Sequence, residues 1–342
     1  MQIWKIIANI ARYKPQLYLM NSSVTTSPIR KNSLNAWLLA IRPKTLTGAI
    51  IPVMMGTSLA IHDQALLATD GAESFGPSLI HWPVAIGCLL FACLMQVAAN
   101  FINDLYDFLK GSDREDRLGP ERACAQGWIT PQAMRWGIGV TIALAVLCGC
   151  SVLYLVYPLL PYGGWELVAL GVGSILFAFL YTTLLSYQGW GDLLVLLFFG
   201  LVPVAGCYYV QCYTLTTDVL LAACMSGLAI DTLLVVNNYR DREQDALSGK
   251  RTLVVRLGER FGRYLYLMLG IVCWLIAFVM TLRGLLSTDQ LVWAASPYLL
   301  LHITTWRKMI AIHRGRELNQ ILGETSRNML LMGLLWSIAI LS

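Results

Sequence analysis

The stretch WPVAIGCLLFACLMQVAANFINDLYDFL, residues 82–109, determines the fold class of this chain. Its first part is almost entirely apolar, and a helix needs roughly 20 such residues to cross the hydrocarbon of a bilayer. Its last part carries Asn103, Asp104 and Asp107, and acids are less costly at a helix end than at the bilayer centre. The stretch therefore predicts a membrane helix with a polar end.

The composition extends this prediction to the whole chain. Of its 342 residues, 57% are hydrophobic and 13% are charged, whereas soluble domains average about 25% charged residues. Two soluble domains, a disordered chain and a secreted disulfide scaffold are therefore excluded. We predict an all-α polytopic membrane protein with about nine transmembrane helices. The expected spans are 36–60, 82–109, 135–158, 165–186, 192–212, 218–238, 264–284, 289–306 and 327–341.

The basic residues predict the orientation. The chain has 25 Lys and Arg residues, and all except Arg283 lie in alternate loops, before or at the first span or in the segments 110–135, 240–263 and 307–327. Cytoplasmic loops of membrane proteins carry such an excess, so we expect a cytoplasmic N-terminus. No basic stripe interleaved with aromatic residues suggests a nucleic-acid partner.

We expect the chain to consist of two regions. Residues 36–342 form the transmembrane domain, and residues 1–35 form an N-terminal cytoplasmic or interfacial segment. The stretch from Ile3 to Met20 mixes apolar residues with Lys and Arg. Two interpretations stay open for it. It is either an amphipathic helix on the membrane surface or a stretch upstream of the true start of the protein at Met20. We assign it no chemistry.

Eleven of the 20 acidic residues fall into two clusters, one at 104–121 and one at 231–259. Asn103 and Asp107 are four residues apart, as are Asn237 and Asp241 and then Asp241 and Asp245, so each set shares a helix face. Each cluster begins at the cytoplasmic end of an apolar span, where densely packed acids repel unless a cation lies between them. The alternative is a set of solvated loop charges. Asp231 lies deeper and is either a hydrogen-bonded core acid or part of a pocket wall.

Carboxylate and amide oxygens of this kind suit Mg²⁺, which typically uses one or two carboxylates together with substrate phosphates. A diphosphate could then be held from the sides by nearby basic residues, namely Arg114, Arg117, Arg122, Arg240, Lys250 and Arg251. A metal–diphosphate site at the mouth of an apolar helix bundle implies a substrate whose other end is apolar. The sequence therefore points to prenyl transfer within the membrane.

Four segments resemble the UbiA superfamily of membrane-embedded aromatic prenyltransferases. The first signature is NDLYDFLKGSDREDRLGPERACAQGWITP at 103–131, and the second is NNYRDREQDALSGKRTLVVRLG at 237–258. The other two are RPKTL at 42–46 and YTTLLSYQGWGDLLVLLFFG at 181–200. The pattern is most similar to the branch that prenylates 1,4-dihydroxy-2-naphthoate. In the wider superfamily, the acid that is Asp113 here stands at the position of Gly111.

The resemblance implies nine helices around a central cavity and a location in the cell (inner) membrane. It also implies that Mg²⁺ joins a polyprenyl diphosphate to Asp104 or Asp107 and to Asp241 and Asp245. Asn103 and Asn237 would then support these ligands, and together with Asp107 and Asp241 they form the expected catalytic set. The remaining candidates for substrate binding are Lys44, Asp113, Arg117, Arg122, Tyr181, Arg240 and Lys250.

Several alternatives stay open. Lys44 is a candidate for the acceptor carboxylate or a phosphate, but a snorkelling interfacial lysine explains it equally well. Tyr181 is a candidate for the pocket wall or an ordinary interfacial aromatic residue. The acceptor could instead be 4-hydroxybenzoate or another aromatic compound. A transporter is the alternative from another class, although transporter acids usually lie near the midplane.

Overall fold

The computed structural model describes residues 29–69, 80–111 and 117–342, and these residues form an all-helical bundle without strands. We number its long helices in chain order. They are α1 (Thr47–Thr69), α2 (Trp82–Leu109), α3 (Pro131–Val156), α4 (Trp165–Leu180), α5 (Gly191–Cys212), α6 (Thr217–Leu247), α7 (Glu259–Leu282), α8 (288–312) and α9 (Leu318–Leu341).

Seven helical segments of the described chain are long and apolar enough to cross a membrane, from the segment that contains α1 to α7. This confirms the prediction of an all-α polytopic membrane protein, but the count of nine spans is not confirmed. The two helices below the criterion, α8 and α9, correspond to the two shortest expected spans. In α9 the first turns carry Asn319, Glu324, Arg327 and Asn328, which lowers the hydropathy of that half.

The first expected span, 36–60, is not one continuous helix. A short helix, Leu34–Ile41, ends at Arg42, whose φ is +55°. A 3₁₀ turn, Pro43–Leu46, then leads into α1. Proline disfavours the α conformation of the residue before it, so Pro43 accounts for the break. The N-terminal segment assigned to residues 1–35 lies mostly outside the described residues.

The ends of α2 and α6 position the acidic signatures. Helix α2 ends at Leu109 and is followed by Gly111, whose φ of +68° suits glycine. Helix α6 continues to Leu247, beyond the end of the expected membrane span 218–238. Asn237, Asp241 and Asp245 therefore lie on one continuous helix.

The largest buried cluster joins α1, α5, α6, α7, α8 and α9. Helices α1 and α5 approach each other closely in this cluster, because a Cβ on Gly56 would lie 2.5 Å from the carbonyl oxygen of Val204. Large apolar side chains such as Leu147, Tyr154 and Leu300 are exposed on the outside of the bundle. In a membrane protein this outer surface contacts lipid rather than water.

Candidate active site

A cavity of about 510 Å³ lies within the bundle and is lined by α1 to α6. Most of its wall is apolar and includes four phenylalanines, Phe91, Phe177, Phe198 and Phe199. Its polar lining residues include Thr45, Gln96, Asn100, Asn103, Tyr181 and Asn237. Asn103 and Asn237 lie in the halves of α2 and α6 that lead to the acidic signatures. The cavity therefore suits a ligand with a long apolar part and a polar head.

The two signature asparagines line this one cavity. Asn103 accepts a hydrogen bond from the hydroxyl of Thr182 at 2.9 Å. The amide of Asn237 donates to the carbonyl oxygen of Leu233 at 3.0 Å, within its own helix. The fold thus brings together two residues that are far apart in the sequence, as the helical spacing predicts.

Asp107 is one turn beyond Asn103 on α2, and its carboxylate pairs with Arg122. The distance from Arg122 Nη2 to Asp107 Oδ2 is 2.7 Å, and the two residues are only 7% and 4% exposed. A buried ion pair of this kind is stable only while both partners are present. Arg122 therefore holds the loop after α2 against the acidic end of that helix.

Asp104 has a different environment. Its two carboxylate oxygens accept hydrogen bonds from the backbone N–H groups of Ala123 and Cys124, each at 2.9 Å, and the side chain is 1% exposed. This arrangement anchors the loop that connects α2 to α3. The observed geometry therefore favours an anchoring role for Asp104 over the role of metal ligand that the resemblance implies.

The second signature contacts both the loop after α2 and helix α9. Arg240 donates to both carboxylate oxygens of Asp241, at 2.7 and 2.5 Å. It also donates to Asn319 on α9 at 2.7 Å, and Asn319 in turn donates to the carbonyl oxygen of Leu118 at 2.9 Å. A Cβ on Gly119 would lie 2.8 Å from Arg240 Nη2, so a larger residue at this loop position would displace the guanidinium.

The third acid, Asp245, lies 3.9 Å from Lys250. The charges of Asp107, Asp241 and Arg117 all act on it, which places the two acidic signatures within electrostatic reach of each other. Arg117 itself donates to the carbonyl oxygen of Pro120 at 3.2 Å.

Lys110 follows α2 and also belongs to this electrostatic group. Its ammonium lies 4.0 Å from the ring centre of Tyr187 and donates to the carbonyl oxygen of Thr183 at 2.9 Å. Burial lowers the pKa of Lys110, Asp107 opposes the change, and Lys250 adds to it. We call the charged residues at the ends of α2 and α6 and in the loops that follow them the charged cap, namely Asp107, Lys110, Arg117, Arg122, Arg240, Asp241, Asp245 and Lys250.

Arg42 is a functional candidate that spacing alone does not reveal. Its Nη2 atom is buried and has no hydrogen-bond partner within the described chain. The charges of Arg122, Asp104, Arg117 and Asp107 all act on it. Lys44, by contrast, is exposed. In the sequence, Arg42 was marked only as the first residue of the RPKTL segment. Its buried position depends on the break in the helix before Pro43, which spacing does not predict.

The structure does not resolve the question of Asp113, because residues 112–116 lie outside the described residues. Among the described residues, no group of three or more His, Cys, Asp or Glu side chains is close enough to hold a metal ion without other ligands. Asp107, Asp241 and Asp245 instead form separate ion pairs with basic residues.

A family model describes most of this arrangement. The UbiA prenyltransferase family matches residues 49–322, which include both acidic signatures and all of α2 to α7. The chain belongs to the UbiA prenyltransferase family.

Characterised family members give a more specific comparison. The 1,4-dihydroxy-2-naphthoate octaprenyltransferase of Haemophilus influenzae is 34% identical and aligns with 90% of this chain and 96% of its own length. The Escherichia coli protein of the same name is 38% identical over 66% of this chain and 69% of its own length. The one from Mycobacterium tuberculosis is 32% identical over 90% and 96%.

Solved structures show the same fold. A UbiA homologue from Archaeoglobus fulgidus bound to DMAPP and Mg²⁺ superposes with a TM-score of 0.58 at 13% identity, covering 90% of this chain and 99% of its own. The same homologue has been solved with GPP and Mg²⁺, with a TM-score of 0.58 at 14% identity and the same coverage.

Proposed function

We propose that the protein transfers a polyprenyl group from polyprenyl diphosphate to 1,4-dihydroxy-2-naphthoate, with loss of diphosphate and carbon dioxide. The product is a demethylmenaquinol, the reduced form of demethylmenaquinone. One observation supports the proposal most directly. A single apolar cavity has Asn103 and Asn237 in its wall, and the paired acids and bases of the charged cap follow these residues on the same helices. Three relatives at 32–38% identity bear the corresponding name.

The cavity suits the prenyl chain. Its apolar wall would exclude water from an allylic carbon as the diphosphate leaves, and its phenylalanine rings would stabilise the positive charge that develops there. The polar head of the substrate would then lie beside Asn103 and Asn237, where the charged cap begins.

The donor set at this end fits Mg²⁺. Asp107, Asp241 and Asp245 supply oxygen ligands from two helices, and Mg²⁺ needs only one or two carboxylates when substrate phosphates complete its coordination. A closed cage of protein ligands is therefore not required. When bound, the metal would neutralise charge that develops on the departing diphosphate.

The basic residues of the cap would hold the diphosphate. Arg122, Arg240 and Lys250 now pair with the three acids, and each could contact a phosphate oxygen while keeping its partner in place. Arg42 offers a buried guanidinium atom without a partner in the described chain. Arginine binds phosphate strongly through its fork of donors.

The acceptor ring would attack the allylic carbon through the ring carbon that carries the carboxylate. Loss of carbon dioxide then restores aromaticity, and the electron pair of the broken C–C bond returns to the ring. A 4-hydroxybenzoate enzyme would prenylate a neighbouring carbon, lose a ring proton and keep the carboxylate. The fate of the carboxylate therefore separates the two acceptors.

The decisive experiment supplies purified protein with polyprenyl diphosphate, Mg²⁺ and carboxyl-labelled naphthoate. We expect one labelled carbon dioxide for each prenyl group transferred, and no release after chelation of the metal. An Asp218→Asn variant serves as a matched control, because Asp218 pairs with Arg283 at the opposite end of α6. A prenylated product that retains its carboxylate, or turnover of 4-hydroxybenzoate alone, would contradict the proposal.

The proposed orientation places the N-terminus and the charged cap in the cytoplasm. The distribution of basic residues supports it. Arg283, the single exception, pairs with Asp218 at 2.6 Å, at the end of α6 and α7 remote from the acidic signatures.

A further inference from the structure

Two acids outside the charged cap have no role in the reaction described so far, namely the buried Asp231 and the partly buried Asp192. Asp192 lies in the first turn of α5, and Asp231 lies in the middle of α6, where it is 5% exposed. In the described chain, the Oδ1 atom of each is buried without a hydrogen-bond partner, and no ion pair joins either carboxyl to a cation. Unpartnered buried oxygens are costly, so their retention suggests a function.

The packing of α5 on α6 places these acids opposite each other. A Cβ on Gly227 would lie 2.8 Å from Leu196 Cδ1 and 2.9 Å from the carbonyl oxygen of Leu196. The two helices run in opposite directions. Asp192 precedes Leu196 by four residues and Asp231 follows Gly227 by four, so each lies one turn from this contact toward the same end of the bundle. The charge of Asp192 accordingly acts on Asp231.

Tyr181 connects the acid pair (Asp192 and Asp231) to the cavity. Its side chain lines the cavity wall, and its hydroxyl would lie 3.9 Å from a Cβ on Gly191, the residue before Asp192. The charges of Asp192 and Asp231 are the two strongest that act on Tyr181. Thr182, the next residue, donates to Asn103, so Tyr181 lies at the polar end of the cavity.

The local helical geometry is irregular on both sides of Asp192 along the chain. Tyr181–Leu185 and Leu196–Leu201 are π-helical. Such segments are rare and occur frequently at functional sites. Here the first segment begins at Tyr181, and the second begins four residues after Asp192.

We infer that Tyr181 and the acid pair form a proton relay for the aromatic acceptor. Tyr181 contacts the acceptor hydroxyl, and the acid pair behind it takes up the proton. Because a negative charge on one acid disfavours a negative charge on the other, a state in which the pair carries one proton is favoured over a state with two negative charges. Asp192 is the member better suited to the negative charge, because the N-terminus of α5 stabilises an anion. This inference rests on the proposed function.

The proton balance closes within one turnover. As the ring attacks the allylic carbon, the acceptor hydroxyl passes its proton through Tyr181 to Asp192 and becomes a carbonyl. The intermediate is a β-keto carboxylate, and cleavage of its C–C bond releases carbon dioxide and leaves a naphtholate oxygen. The relay returns its proton to that oxygen, so the acid pair ends in its initial state.

The test compares Tyr181→Phe, Asp192→Asn and Asp231→Asn with the Asp218→Asn control, using naphthoate acceptors whose hydroxyl groups differ in acidity. General-base catalysis typically contributes about 10²- to 10⁴-fold. We therefore expect kcat for the parent acceptor to fall about 100-fold in Asp192→Asn. The loss should shrink as the acceptor becomes more acidic, because an acidic hydroxyl needs less assistance.

The remaining readouts separate the relay from a structural role. The KM for polyprenyl diphosphate and the thermal midpoint should stay near the unsubstituted values in Asp192→Asn, and Asp192→Glu should regain part of kcat. An equal loss with every acceptor, or a change confined to KM, would overturn the relay. If naphthoates are not substrates but phenolic acids are, the proposed acceptor is wrong, and the same comparison on phenolic acids of graded acidity still tests the relay.

Discussion

Arg122 Nη2 lies 2.7 Å from Asp107 Oδ2, and this buried pair joins the loop after α2 to the end of that helix. Asp107 is proposed to bind the metal, and Arg122 to hold the departing diphosphate. The ion pair therefore links a proposed metal ligand to a proposed diphosphate-binding residue in the protein without substrate. Removing one partner affects both stability and chemistry, and the two effects can be separated.

For Asp107 we expect the Asn variant to lose at least about 100-fold in kcat, comparable to the loss of one preorganised electrostatic group in other enzymes. It should also be less stable, because Arg122 then loses the buried carboxylate with which it pairs at 2.7 Å. The double variant Asp107→Asn/Arg122→Gln should regain thermal stability but not activity. Thermal midpoints and kcat of the detergent-solubilised proteins measure the two effects. Activity near normal in Asp107→Asn would contradict the metal-site assignment.

For Asp104 the expected effect is on stability. Asp104→Ala leaves the backbone N–H groups of Ala123 and Cys124 without their partner, and each such loss costs about 1–3 kcal/mol. The thermal midpoint should fall by several degrees, whereas Asp104→Asn should keep part of the stability through its amide oxygen. At a temperature where both variants are folded, the dependence of rate on Mg²⁺ concentration should match that of the unsubstituted protein. A large rise in the required Mg²⁺ would instead make Asp104 a metal ligand.

Helical periodicity was sufficient to predict which signature residues share a face. Asn103 with Asp107, and Asn237 with Asp241, are four residues apart, and apolar runs give the helices on which they lie. The expected membrane span ended at residue 238 because Asp241 and Asp245 are charged, whereas the shared helix face of Asn237, Asp241 and Asp245 already predicted that the helix itself continues. The charges of the two acids are balanced by Arg240 and Lys250, so the helix continues to Leu247.

Contacts between distant segments were beyond the reach of the sequence pattern. The partners of Asp104 are backbone groups of a loop nineteen and twenty residues away. Arg240 is held by Asn319, which is seventy-nine residues further along the chain. Hydrogen bonds of this kind depend on how helices pack, and neither hydropathy nor spacing contains that information.

The orientation can be tested with single cysteines at exposed positions. Glu121 lies in the loop after α2, and Tyr162 lies between α3 and α4. We expect Glu121→Cys to react with a membrane-impermeant thiol reagent only after the membrane is opened. Tyr162→Cys should react in intact spheroplasts. The unsubstituted protein, labelled in parallel, corrects for its native cysteines, of which Cys124 is 3% exposed. The reverse labelling pattern would show that the charge distribution was misinterpreted.

The last prediction compares Arg42 with Lys44, two basic residues of the same segment. Arg42 has a buried Nη2 atom without a partner in the described chain, whereas Lys44 is exposed. A hydrogen bond to a charged group contributes roughly 1.5–3 kcal/mol, so Arg42→Gln should lower kcat/KM for polyprenyl diphosphate about 10- to 100-fold. Arg42→Lys should restore part of it, because the charge remains. Lys44→Gln should have a smaller effect, because an exposed lysine is already solvated and loses little when its charge is removed. Steady-state kinetics with each substrate varied in turn separates binding of the diphosphate from binding of the acceptor carboxylate. A larger loss in Lys44→Gln than in Arg42→Gln would return the anion-binding role to Lys44.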